Sequence, residues 1–289
     1  MTVRCSASSA RASHAAERRT DIAAWSGSAR QRIRTLPASL REWLLVAERL
    51  AWREPAAVES GQGGAAMGWY DETVDLLETE LRGVADTFAG LSAEEWALPT
   101  HLVPFDPELP RWTVFELAGH FDISIGLTRM LIDSAQAGQP GRDRVSFFIF
   151  PRSEVAPGVY EYAYKMVEGK APGDMPRVLA ETFSKTVEES RANPPDTIGS
   201  GYYALMRLDE FVASRVVEAV VHGFDLTDAL GRDPIATPAG IAATAAILEE
   251  LLARRTVKGR PADLGDDLAW VRAASGRSEH TDPRLPLIG

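Results

Sequence analysis

LDEFVASRVVEAVVHGFDLTDA (residues 208–229) is an apolar run at helical spacing into which ionisable side chains are set three and four residues apart. Gly231 follows as a stop signal. Within the run, Glu218 precedes His222 by four residues. Residues i and i+4 share a helix face, with Cβ atoms about 5–6 Å apart. Glu218 and His222 therefore point the same way from a segment whose composition calls for burial. A lone ionised carboxylate in a bundle interior costs several kcal/mol unless it is paired. Three arrangements would compensate. Arg215, three residues before Glu218, could pair with it; Glu218 could be neutral; or a cation could bind both side chains. Two histidines and a glutamate with an open position form a known catalytic zinc arrangement. A second histidine, His120, stands mid-helix in ELAGHFDIS (116–124). Glu116 also precedes His120 by four, but it lies three after Thr113 and is read as part of a helix cap.

Outward from this run, the body is mostly helical. Residues 68–90 place Val74, Leu77, Leu81, Val84 and Phe88 three or four apart, one apolar stripe on a helix. Ser92 with Glu95, and Thr113 with Glu116, are capping-box patterns. Pro104, Pro107 and Pro110 turn the chain between them. Helices are expected over 114–135, 175–192 and 237–254, the last with Pro238 in its first turn, and a short one over 266–274. Residues 139–162 show no clear period, and VSFFIF (145–150) reads as a short strand or a buried loop. Four main helices with apolar stripes predict a bundle, whose inward positions let metal ligands converge.

The chain of 289 residues is 45% hydrophobic and 25% charged, a globular composition. Its net charge of −10 argues against non-specific nucleic-acid binding. No apolar run approaches the ~20 residues of a membrane-spanning helix. The single cysteine, Cys5, excludes a disulfide framework and a Cys-X-X-Cys redox centre. Motifs of serine hydrolases, P-loop proteins and Rossmann domains are absent. Residues 1–66 differ from the rest: they carry a charge balance of +4, against −14 for residues 67–289. Their Ser-, Ala- and Arg-rich start has transit-peptide composition without the apolar core of a secretory signal. An amphipathic stretch, SLREWLLVAERLAW (39–52), then a GQGGAA segment, lead to Met67. Residues 1–66 are expected to be an upstream extension or a helical interaction arm, with 67–289 as the bundle. The lack of a secretory signal or disulfides points to the cytoplasm.

PRWTVFELAGHF (110–121) and RVVEAVVHGFDL (215–226) together resemble the DinB-like superfamily, and within it the actinobacterial mycothiol-dependent maleylpyruvate isomerase-like group. The patterns W-T-V-x-x-L-x-x-H and R-x-x-E-x-x-x-H-G-x-D-L both stand without gaps. DDLAWVRAASGR (266–277) and PRLPL (283–287) resemble the group's C-terminal signature. The resemblance spans 67–289. It implies an up-down-down-up four-helix bundle with added C-terminal helices and a metal at one end. The implied ligands are His120, Glu218 and His222, the expected metal zinc, though nickel and iron suit the same set. It also implies mycothiol as cosubstrate and an isomerase or S-transferase acting on a small electrophile. Arg215 and Asp225 are candidates to orient the ligands. Arg142, Arg144, Arg152, Arg277 and Arg284 are candidates to hold a substrate carboxylate. Two other functions use the same triad: metal-assisted hydrolysis, and a non-catalytic metal-binding module closed by a fourth ligand such as His101. The expected partners are a small molecule and a low-molecular-weight thiol, with no nucleic acid and no membrane, in a monomer or homodimer.

Overall fold

The structure, a computed structural model, describes residues 66–202 and 204–288. The upstream expectations, including the 39–52 helix and Cys5, lie outside the described residues. Helix α1 (Ala66–Ala89) buries its predicted stripe, Val74 through Phe88. Helices α2 (Ala93–Trp96) and α3 (Val114–Asp133) both begin at the expected capping boxes, which satisfy otherwise orphaned backbone N–H groups. The proline-rich loop between them is pinned where Thr100 N–H donates to Trp112 O at 2.8 Å.

The ambiguous stretch resolves into a turn and a helix. Ser146–Phe148 is a single 3-10 turn whose Phe147 and Phe148 are buried, so the loop alternative holds and the strand does not. Asp143 shapes it, accepting from the backbone N–H groups of Val145 and Ser146. Helix α4 (Arg152–Val167) was not foreseen. Pro157 and Gly158 read as turn punctuation, yet they sit within the helix, whose buried Val155, Tyr162, Ala163 and Val167 hold it to the body. Helix α5 (Met175–Ala192) follows as expected. An unforeseen antiparallel hairpin, β1 (Ile198–Ser200) and β2 (Leu205–Arg207), pairs Ile198 with Arg207 and Ser200 with Leu205. Helix α6 (Leu208–Leu230) ends on Gly231, whose φ of 63° is the left-handed conformation that glycine adopts freely. Helix α7 (Pro238–Arg255) is capped by Thr237, itself held by the buried Glu80 of α1. Helix α8 (Asp267–Ala274) is capped by Asp266.

Side-chain pairings give the direction of each helix. The start of α1 meets the end of α5, where Tyr70 OH donates to Ser190 O at 2.8 Å and Arg191 binds Asp75 and Glu78. Those two helices run antiparallel. Pairs advance together along α3 and α5: Asp122 with Thr182, Ile125 with Thr186, Arg129 with Glu189. Those two are parallel. Along α3 and α6 they run oppositely, His120 meeting His222 and Ser124 meeting Arg215. The core is thus an up-down-down-up bundle of α1, α3, α5 and α6. The parallel pair α3 and α5 needs a crossover, and α4 lies within it, packed on α3. Helices α7 and α8 are the additional C-terminal layer, α7 against α6 and α8 against α7. Among the described residues no helix is long and apolar enough to cross a membrane.

The closest approach of α3 and α4 falls beside a candidate ligand. A Cβ at Gly119 would lie 2.5 Å from the backbone oxygen of Ala163 and 2.9 Å from Val167 Cγ1. Gly119→Ala in a helix interior would ordinarily stabilise by about 0.5–1 kcal/mol. Here overpacking outweighs that gain, and destabilisation of about 1–3 kcal/mol is expected, read as a lower urea midpoint. A raised midpoint would mean that α4 is not held against α3 at this glycine.

Candidate metal centre

Helix α3 contributes His120 from its second turn, and α6 contributes Glu218 and His222 from its middle third. The α1 end is here too, since Phe88 packs edge-on against Phe121 at 5.8 Å. The three side chains therefore meet at one end of the bundle. His120 Nε2 and His222 Nε2 are 3.0 Å apart, and Glu218 Oε2 lies 3.5 Å from the first and 3.4 Å from the second. Among the described residues this is the cluster able to hold a metal ion.

The charge states follow from the surroundings. Burial opposes the charge of Glu218, but hydrogen bonds from His120 and His222, with Arg215 nearby, hold its carboxyl well below the usual carboxylate range. That favours the ionised form of Glu218 over the neutral one. Arg215 is fully buried, at 1% exposure. Its guanidinium lies between Phe147 and Phe211, at 4.6 and 4.5 Å from their ring centres. It donates to Ser124 O at 2.9 Å and to Ser214 Oγ. It stands 3.9 Å from Oε1 of Glu218, which leaves Oε2 to the histidines.

His222 Nδ1 lies 2.7 Å from Asp225 Oδ2. Arg277 in turn grips both oxygens of Asp225, Nε to Oδ1 at 2.9 Å and Nη2 to Oδ2 at 2.6 Å. Burial works against the Asp225 carboxylate, yet Arg277 and His222 hold it far below its ordinary value. An ionised Asp225 only accepts hydrogen bonds. Nδ1 of His222 therefore carries a proton, which leaves Nε2 as the nitrogen able to bind a metal. Burial and the neighbouring His222 push the pKa of His120 down, which favours its neutral form. For His222, burial is outweighed by Asp225 and Glu218, which raise its pKa.

Two imidazole nitrogens and one carboxylate oxygen thus converge on one point, an arrangement that shared protons hold together and in which a cation could replace them. The triangle fits zinc. Ligand bonds of ~2.0–2.1 Å at tetrahedral angles put donor atoms about 3.3 Å apart, close to the spacing here. Two imidazoles and a carboxylate are also an accepted zinc donor set.

The remaining candidates are placed elsewhere. His101 is exposed and outside the cluster, so it does not close the coordination shell. Arg277 is bound to Asp225 and buried, not turned to a substrate. Arg144 pairs with Glu210 and Glu250, and Arg284 with Asp282. Arg142 donates to the backbone oxygens of Ser146 and Ile149. Arg152 is exposed at the start of α4.

The Trp112 ring lies 5.2 Å from that of His120 and stacks on Tyr160, whose hydroxyl donates to Pro110 O. Exposed Phe105 meets Tyr160 edge-on, so an aromatic file runs from the cluster to the surface.

A sequence-family model described as the mycothiol maleylpyruvate isomerase N-terminal domain matches residues 77–227, slightly more than half of the chain. The match includes all three cluster residues and Asp225, and ends before Arg277. No curated protein and no solved structure matches the chain.

Proposed function

The chain belongs to the mycothiol maleylpyruvate isomerase N-terminal domain family, and from that premise we propose that it is a divalent-metal-dependent enzyme using mycothiol on a small electrophile. The reaction is either isomerisation or S-transfer. The observation that carries this reading is the convergence of two imidazole Nε2 atoms and a carboxylate oxygen at one end of the bundle. His120, Glu218 and His222 would hold the ion, with zinc the expected metal. Bound there, a divalent ion supplies Lewis acidity that brings a thiol's pKa toward neutrality.

The chain's own residues prepare the site. Asp225 fixes the tautomer and ring orientation of His222. Arg215 turns one Glu218 oxygen away, so that a single oxygen faces the histidines. Phe121 and Trp112 limit water around the imidazoles, which strengthens every electrostatic interaction there. In an isomerisation the thiol sulfur adds to a carbon–carbon double bond, the resulting single bond rotates, and loss of the same sulfur and proton restores the double bond. In an S-transfer the adduct is the product.

The test uses protein never exposed to nickel resin. About one equivalent of a transition metal is expected by mass spectrometry. Turnover of maleylpyruvate, or of a related electrophile, is expected to require both the metal and mycothiol. Ester or amide hydrolysis without thiol would replace this reading with a hydrolase. No metal uptake would leave a helical binding module.

A further inference from the structure

The family match ends at residue 227, yet a bidentate contact to the cluster's surroundings comes from fifty residues later. Gly276, with φ of 74°, turns the chain back after α8, and Arg277 follows it into the bundle end. All three guanidinium nitrogens of Arg277 are engaged. Nε and Nη2 take the two oxygens of Asp225, and Nη1 donates to Ser275 O. The pair is buried, at 9% and 3% side-chain exposure, and Asp225 meets Nδ1 of His222 with the oxygen that Nη2 binds. One turn farther along α6, Arg272 makes a second fork to Asp228, at 2.9 and 2.8 Å. The C-terminal segment thus grips one face of α6 twice, and only one grip continues to a cluster histidine.

Resting on the metal-site reading above, we infer that Arg277 is a positioning residue of that site, acting through Asp225 to aim Nε2 of His222 at the metal. A planar, bidentate fork fixes both the place and the plane of a carboxylate, which a point charge does not. Without it, Asp225 is a buried carboxylate with one partner. Rotation of the freed carboxylate then removes the acceptor that holds the His222 ring. Loss of such an outer partner typically costs 10–100-fold in metal affinity.

The experiment compares the full chain with Arg277→Gln, Arg277→Lys, Asp225→Asn, the Asp225→Asn/Arg277→Gln double variant, and Arg272→Gln. Zinc affinity is read by chelator competition, and ligand geometry by the visible spectrum of the cobalt-loaded protein. Arg277→Gln is expected to weaken zinc 10–100-fold and to alter the cobalt spectrum, with partial recovery in Arg277→Lys. In the Asp225→Asn background the same change is expected to add less than about 2-fold, because coupled residues are non-additive. Arg272→Gln, which breaks the neighbouring fork, is expected to lower the melting temperature and leave affinity within about 2-fold. Wild-type affinity in Arg277→Gln, additivity in the double variant, or an equal loss in Arg272→Gln overturns the inference and makes the segment a general brace. A wild-type chain that takes up no zinc overturns the metal reading itself, and this inference with it. Should Arg277→Gln not fold, Arg277→Lys and the Asp225 variants carry the same comparison.

Discussion

His222→Ala is expected to strip the protein of its metal and of its thiol-dependent turnover together. The variant removes one of three donors and leaves His120 Nε2 and Glu218 Oε2, 3.5 Å apart, as a two-point site. The affinity loss should exceed the 10–100-fold that follows removal of an outer partner, because a donor itself is gone. The fold should survive, since the proton acceptor of His222 is not orphaned: Asp225 keeps the fork of Arg277. A ligand that binds only the native state stabilises it by about 4 kcal/mol at a thousand times its dissociation constant. The wild-type chain is therefore expected to melt higher with zinc than without, and the variant to melt at one temperature in both. Metal content after dialysis, with melting curves in zinc and in chelator, checks this. A variant that keeps one equivalent of zinc and its zinc-dependent melting shift would displace His222 from the ligand set.

How much of this was readable beforehand depends on the range over which each interaction acts. Helices α1, α5, α6 and α7 have boundaries within two residues of those expected, because stripes, caps and a terminal glycine are local signals. Helix α4 hid behind Pro157 and Gly158, which usually end helices, and its evidence is tertiary: it is held by its packing on Gly119 of α3. Three-residue strands carry too few alternations to be seen, and Gly199 reveals its purpose only where β1 runs against the backbone of Leu131. At the site, Glu218 and His222 announced themselves as polar residues one turn apart in an apolar run. His120 is legible as a second histidine in mid-helix, the resemblance names it as a ligand, and the structure brings it to 3.0 Å from His222. Arg277 was legible only as a cation available to substrate. Its partner lies 52 residues away in sequence, so nothing local marks the fork.

Arg215→Met is expected to destabilise the metal-free protein by about 3–5 kcal/mol, the usual cost of removing one partner from a buried charge pair. In a domain of this size that corresponds to a fall in melting temperature of roughly 6–20 °C. Methionine can fill the slot between Phe147 and Phe211, so the loss is electrostatic more than steric. What it leaves behind is the Glu218 carboxylate beside His120 and His222, with the guanidinium charge 3.9 Å from its Oε1 gone. Two consequences separate this cause from a simple packing defect. Adding Glu218→Gln to Arg215→Met should recover part of the lost stability, because the uncompensated charge is removed as well. Zinc should raise the melting temperature of Arg215→Met by more than it raises that of the wild type, because the ion then supplies the charge that the guanidinium did. Equal zinc shifts, with no recovery in the double variant, would instead make Arg215 a packing residue whose contacts to Ser124 and the two phenylalanines matter more than its charge. The expected result implies a division of labour at this end of the bundle. Arg215 keeps the bundle folded around a largely buried carboxylate, and metal binding draws on a carboxylate whose desolvation folding has already met.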